Sequence, residues 1–285
     1  MKRYFLVVFW VMIFFGLNAS GQTEADGTII VFNASEKEIV VAADSRISGR
    51  FSYVDDNCKI AAFGNKIIFA ASGRAGPRNK PTELWDAYAI AKGDFKRLAK
   101  KTAPDELPQA LANAWLVSIK HKINDRLSHG IKVMAGLSDN AIMSALFAGV
   151  KKDGSVLAVS AQITYDIADS REAINININY PPPYILSGTD FPNWMGRHEV
   201  IDELKARQTF RSDQWTRTIN VAVKNSSDPI ATVAIEKVKL TIDNLPKTKT
   251  TARGVPFSEV GNPISAVRLS RKGVEWIKKG NCPQD

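Results

Sequence analysis

Residues 26–46 read DGTIIVFNASEKEIVVAADSR, and two short β-branched runs dominate the stretch: TIIVFNA (Thr28–Ala34) and EIVVAAD (Glu38–Asp44). Between them lie Ser35, Glu36 and Lys37, a polar interruption that suits a hairpin. A three-residue loop sets Ala34 opposite Glu38, and antiparallel counting then sets Thr28 opposite Asp44. Arg46 follows two residues on, on the same side of a continuing strand. Both runs are apolar on both faces, the pattern of a sheet covered on both sides.

A second pair of runs follows. CKIAAF (Cys58–Phe63) and KIIFAASG (Lys66–Gly73) flank Gly64-Asn65, a dipeptide that favours a tight turn. Lys59 opens one strand and Gly73 closes its partner. Placed side by side, the two hairpins gather Thr28, Asp44, Arg46, Lys59 and the Gly73 N–H at one sheet end.

Those groups suit acyl transfer. A threonine hydroxyl is a weak nucleophile until a base takes its proton. A cut between Gly27 and Thr28 supplies one, a free α-amine that titrates near about pH 8. Lys59 is a like charge and pushes that amine toward its neutral form. Asp44 holds Lys59 protonated, and the Gly73 N–H can donate to an oxyanion.

The chain has 285 residues, of which 45% are apolar and 24% charged, enough for a sizeable core. Helical patterns run from about Pro81 to Thr102 and from about Pro104 to Ser128, each proline suiting a helix start. Strand patterns return over residues 142–163, with a turn at Asp153-Gly154, and over the alternating AINININY. Two more helices are expected at about Asn193–Gln208 and Asp213–Lys224, then a last strand over PIATVAIEKVKLTID. This order implies stacked sheets with helices on both outer faces. Residues 244–285 are polar and basic and read as an extended linker with a terminal helix, an appendage to the domain at 28–243.

The N-terminus carries Lys2 and Arg3, an apolar run from Phe5 to Leu17, and small residues up to Gly21. It reads as a secretion signal cut after Gly21, leaving 22–27 as a short propeptide and a secreted or periplasmic protein; an uncleaved anchor is the alternative. No stable membrane span remains once the signal is removed. In an oxidising compartment the only cysteines, Cys58 and Cys282, form either one disulfide or two thiols. Three histidines (His121, His129, His198) without ligand spacing argue against a metal site. Net charge is +9, and losing Lys2 and Arg3 leaves +7. No aromatic residues interleave with the basic ones, which argues against nucleic acid and for a solvated basic surface.

GTIIVF…IVVAADSR resembles the start of a proteasome β subunit, of the N-terminal nucleophile (Ntn) hydrolase superfamily. The resemblance implies an α+β, four-layer αββα sandwich and a threonine-type hydrolase of peptide or amide bonds, with neither metal nor organic cofactor. It implies autoprocessing and a homo-oligomer. The catalytic set it implies is Thr28, Asp44, Lys59, Gly73 and Arg46, with Ser187 in YILSGTD as the supporting serine and Asp228 as the second aspartate. The pocket for the substrate residue before the scissile bond falls on Asn57, Ala71, Ala75 and Ser48. The family's Ser-Gly-Gly after the second aspartate is absent, and Ala231 stands near the serine's place. An alternative follows from that departure: a catalytically inactive relative with a structural or interaction role.

Overall fold

The computed structural model describes residues 28–48, 53–55, 57–73, 86–128, 141–170, 173–186, 194–196 and 210–282. Both expected hairpins form. Strands β1 (Ile29–Ala34) and β2 (Glu38–Ala43) pair antiparallel, but Ala34 lies opposite Ile39 and Ile30 opposite Ala43. The register therefore differs by one from the three-residue loop expected. Ser35 is the reason: its N–H donates to the Glu38 carbonyl at 2.8 Å, and its hydroxyl accepts from the N–H groups of Lys37 and Glu38. Serine side-chain bonding closes a four-residue turn.

Beyond that turn come β3 (Ile47–Ser48) and β4 (Tyr53–Val54), a minimal pair, then β5 (Ile60–Phe63) and β6 (Ile67–Gly73). Gly64 and Asn65 turn between these last two with φ of 56° and 54°, the left-handed values that this dipeptide tolerates. The two hairpins do not lie side by side. One sheet runs in the order β11-β1-β2-β14-β15, and the other β10-β8-β7-β6-β5 with β9 on β8. The second sheet continues from β5 and β6 through β7 (Ala141–Val150), β8 (Val156–Ser170), β9 (Ala173–Asn179) and β10 (Tyr184–Leu186). The turn at Asp153-Gly154 joins β7 to β8 as its composition predicts.

Helix α1 (Ala87–Leu98) starts where the Asp86 carboxylate accepts the N–H groups of Tyr88 and Ala89. Helix α2 (Leu107–Ser128) carries Pro108 in its first turn, where a missing N–H costs nothing. The chain at 194–196 is a strand, β11 (Trp194–Gly196), paired with β1, where a helix was expected. Helix α3 (Phe210–Lys224) then precedes the largest departure from expectation. PIATVAIEKVKLTID is not a strand but helix α4 (Pro229–Asn244), with Pro229 in its first turn and Asp228 accepting the Ala231 N–H. Its buried residues Ala231, Ala234, Val238 and Thr241 recur every three or four positions, a helical stripe that outweighs the β-branched composition.

Residues after 244 are no appendage. After the short pair β12 (Lys249–Thr250) and β13 (Pro256–Phe257), strands β14 (Ser265–Ser270) and β15 (Gly273–Lys278) form a hairpin where a helix was expected. Strand β14 pairs with β2 from Ser265↔Ala43 to Ser270↔Glu38, completing the first sheet.

The described residues thus make a mixed α+β fold with two main sheets and four helices. Its apolar core falls into three parts. Phe69, Trp115, Phe147 and their neighbours join the second sheet to α1 and α2. Phe32, Val41, Ile60 and Leu146 fill the space between the sheets. Ile29, Val40, Ala234 and Val238 join the first sheet to α4. No described helix is long and apolar enough to cross a membrane.

Cys58 and Cys282 are bridged, across 224 residues of sequence. Closing so long a loop restricts the unfolded chain strongly, and native bridges of this kind contribute about 2–5 kcal/mol. Cys58→Ser/Cys282→Ser is expected to lose about that much in a denaturant titration under oxidising conditions. A chain ending at Asp243 lacks β14 and uncovers β2, so it is expected to be insoluble; a soluble, cooperatively unfolding 28–243 fragment would show that the C-terminal hairpin is dispensable.

Candidate functional site

Asp44 is the centre of the site. It leaves the end of β2 at 1% exposure, and its carboxylate is surrounded by donors. Oδ1 accepts from Lys59 Nζ at 2.8 Å and from the Ile29 N–H at 3.0 Å. Oδ2 accepts from the N–H groups of Arg46 and Gly261, each at 3.1 Å. Lys59 is itself 3% exposed, so this is a buried ion pair linking the two sheets at one end.

Burial drives the protonation behaviour of both partners. It pushes the Lys59 ammonium below its ordinary value, against the pull of Asp44. It pushes Asp44 up, against the Lys59 charge and the N–H donors of Ile29 and Gly261. A lysine held this way gives up its proton more readily than a surface lysine.

Thr28 reaches this cluster through its peptide link to Ile29, whose N–H sits on the same oxygen as Lys59. Its direct neighbour is Gly196. A Cβ there would stand 1.9 Å from the Thr28 carbonyl oxygen and 3.3 Å from Ser72 Cβ, so only glycine permits the approach. Ser72 precedes Gly73, the buried last residue of β6, with φ of 77°. The expected gathering of Thr28, Asp44, Lys59 and the β6 terminus at one end therefore exists, across the gap between sheets rather than along one sheet.

Arg46 directs its side chain into the fold beside Asp44. Its guanidinium grips Asp55 with bonds of 2.6 and 2.8 Å, donates to the Ser258 carbonyl at 3.0 Å and lies 4.0 Å from the Tyr53 ring centroid. Asp55 holds it charged. A Cβ at Gly261 would meet the Arg46 guanidinium, so a side chain there would have to displace it from Asp55.

The remaining expected residues divide. The buried Asn57 donates its backbone N–H to the Ser45 carbonyl at 3.1 Å, next to Asp44. Ser48 is buried at the end of β3. Ala71 packs into the core beneath α1 and α2. Ala75 and Ser187 lie outside the described residues, as do His129, His198 and the whole of 1–27. Asp228 is a correction: it caps α4 and pairs with Arg268, which also binds Glu38 at 3.1 Å. Glu38 begins β2 and Asp44 follows its end, about 20 Å apart along an extended strand, so Asp228 lies toward the opposite end of β2 from the Lys59 pair. Ala231 is buried in α4 beside it and plays no part near Thr28.

Sequence reasoning did not single out Gly261, Asp55 or Ser45. Ser45 is fully buried and its hydroxyl has no partner among the described residues. Gly261 supplies a backbone donor from 217 residues away, and only the turn-forming Gly-Asn-Pro that it opens marks the position. Among the described residues no group of His, Cys, Asp or Glu is arranged to hold a metal ion.

No protein-family model matches this sequence, and neither does any curated protein. Among solved structures, the chain is similar to Anbu (ancestral beta-subunit) from Yersinia bercovieri, at 13% identity and a TM-score of 0.42, over 88% of this chain and 87% of that one.

Asp44→Asn leaves the Lys59 ammonium buried without its counter-charge, a change that typically costs about 3–5 kcal/mol. The folded Lys59 value then falls further below the unfolded value of 10.5, so the unfolded chain binds the extra proton. The variant's stability is therefore expected to climb as pH rises through that window toward 10.5, more steeply than wild type, in denaturant titrations at stepped pH. Ser45→Ala removes an unsatisfied buried hydroxyl and is expected to raise stability by about 1 kcal/mol in the same assay.

Proposed function

We propose that the chain is an exported N-terminal threonine hydrolase with a proteasome-β-like, four-layer αββα fold, cleaving peptide or amide bonds. The observation that carries this reading is the buried Asp44–Lys59 pair bonded to the first peptide N–H after Thr28. On this reading the signal is removed after Gly21, and a second cut after Gly27 frees the Thr28 amine.

The chemistry then runs as two displacements. The Thr28 hydroxyl oxygen attacks the substrate carbonyl carbon, and its proton passes to the Thr28 α-amine. Negative charge on the carbonyl oxygen is met by the N–H of Gly73. The C–N bond breaks, the leaving amine takes the proton, and an ester to Thr28 remains. Water, deprotonated by the same α-amine, hydrolyses that ester. Lys59 acts beside these atoms as a charge, favouring a neutral α-amine, and Asp44 fixes its position. Neither step needs a metal or organic cofactor. A homo-oligomer belongs to this proposal through the resemblance alone.

One observation favours the second reading, an inactive relative that keeps the scaffold. Asp228, the residue expected as the second acid beside the amine, is bound by Arg268 toward the far end of the sheet.

The mature N-terminus and a threonine-directed electrophile separate the two. The enzyme is expected to begin at Thr28 and to gain one adduct mass from an epoxyketone, with the gain lost in Thr28→Ala. A mature chain that retains residues 22–27, or one that begins at Thr28 and takes no adduct, supports the inactive scaffold instead.

A further inference from the structure

We infer that a cavity at the opposite end of the fold from Asp44 binds a small amphipathic anion, a carboxylate on an apolar stem. The cavity measures about 280 Å³ and opens where three turns and the α1–α2 connection meet. Its accessible apolar wall is Ala99, Pro104 and Val150, over a floor closed by the buried Ile67, Leu107 and Leu269. Its polar wall carries Lys66 from the β5–β6 turn, Lys151 and Lys152 from the β7–β8 turn, and Arg271 from the β14–β15 turn.

Among the described residues no acid lines this cavity, although Asp153 acts on Lys151 from the same turn. None of the four cations has an ion-pair partner among the described residues, whereas Lys59, Lys249, Arg46, Arg97 and Arg268 are all paired with acids. Asp105, close by in sequence to α2, spends an oxygen on the backbone N–H of Lys152 at 2.7 Å. The adjoining cleft shares Arg271 with this cavity and is lined by both signs, Asp153 and Glu275 among its acids; there Arg268 is bound to Asp228, Glu38 and Glu275.

Like charges brought together in excess of their counter-charge repel, and a ligand that supplies a further anion relieves the repulsion. The walls decide what else it carries. A polyphosphate or nucleic-acid backbone gains nothing from Ala99, Pro104 and Val150, whereas a short alkyl or aryl stem is removed from water there. Apolar lining with a few convergent polar groups is the ordinary make-up of a small-molecule site. The site is independent of the Thr28 chemistry and stands or falls separately.

Calorimetric titration with octanoate, 1-octanol and inorganic phosphate tests the assignment. Octanoate is expected to saturate one site per chain with a dissociation constant of about 0.1–1 mM, consistent with its small size. Binding is expected to weaken as salt rises. Lys151→Gln/Arg271→Gln, at exposed or half-exposed positions, is expected to keep the wild-type melting temperature and to lose about tenfold in affinity. Absence of saturable octanoate binding overturns the inference. So does phosphate or 1-octanol binding as tightly as octanoate, or a double variant that binds like wild type.

Discussion

A single buried carboxylate sets the geometry of one end of this molecule. Asp44 takes four donors from four parts of the chain: the start of β1, the turn after β2, the lead-in to β5 and the loop before β14. Moving an ion pair out of water costs several kcal/mol per ion, and the cost is offset only where every lone pair is met. Four donors meet that requirement, and they do so only if both sheets and the C-terminal hairpin keep their register. The disulfide acts on the same spot. Cys58 precedes Lys59, so the bridge to Cys282 ties the lysine's strand to the tail after β15. Ion pair and covalent bond hold the same few residues.

The sequence made the first half of the fold readable because its strands are apolar, short and separated by turn residues. Gly64-Asn65 and Asp153-Gly154 turn where they should. The register of the first hairpin was not readable, because it depends on which backbone groups the Ser35 side chain bonds, and residue spacing does not contain that choice. Helix α4 was misread from its Ile, Val and Thr content. The Asp228-Pro229 start and the three-and-four spacing of Ala231, Ala234 and Val238 were present but outweighed. The terminal hairpin was hidden by its charge: Arg268 lies in a strand because three acids neutralise it, a fact of tertiary contact alone. For the site, Thr28, Asp44 and Lys59 were legible as a spaced set. Gly261 was not, since its role is a backbone N–H delivered from the far end of the chain.

The two ends of the sheets solve opposite electrostatic problems. At the Asp44 end, charge is buried and fully matched, which fixes atoms in place and moves proton affinities. At the other end, charge is more exposed: Arg268 is crowded by acids, while Lys66, Lys151, Lys152 and Arg271 line a cavity that no described acid lines. An excess of basic residues over the whole chain is therefore not spread evenly. Part of it is concentrated in three turns that the sheet topology brings together, though they are far apart in sequence. Composition alone reads such lysines as a solvated surface, and only the topology reveals their convergence.

Burial of Thr28 bears on how the proposed amine is made. Thr28 is 7% exposed, its carbonyl lies against Gly196, and the next residue is fixed on β2, β11 and Asp44. A separate protease needs its substrate extended in its own cleft, which here requires peeling β1 away from both neighbours. Attack by the Thr28 hydroxyl on the preceding carbonyl requires no such opening, because nucleophile and target are already joined. The same contacts that make the site rigid thus make external processing costly, and under the proposed chemistry they favour a chain that cuts itself.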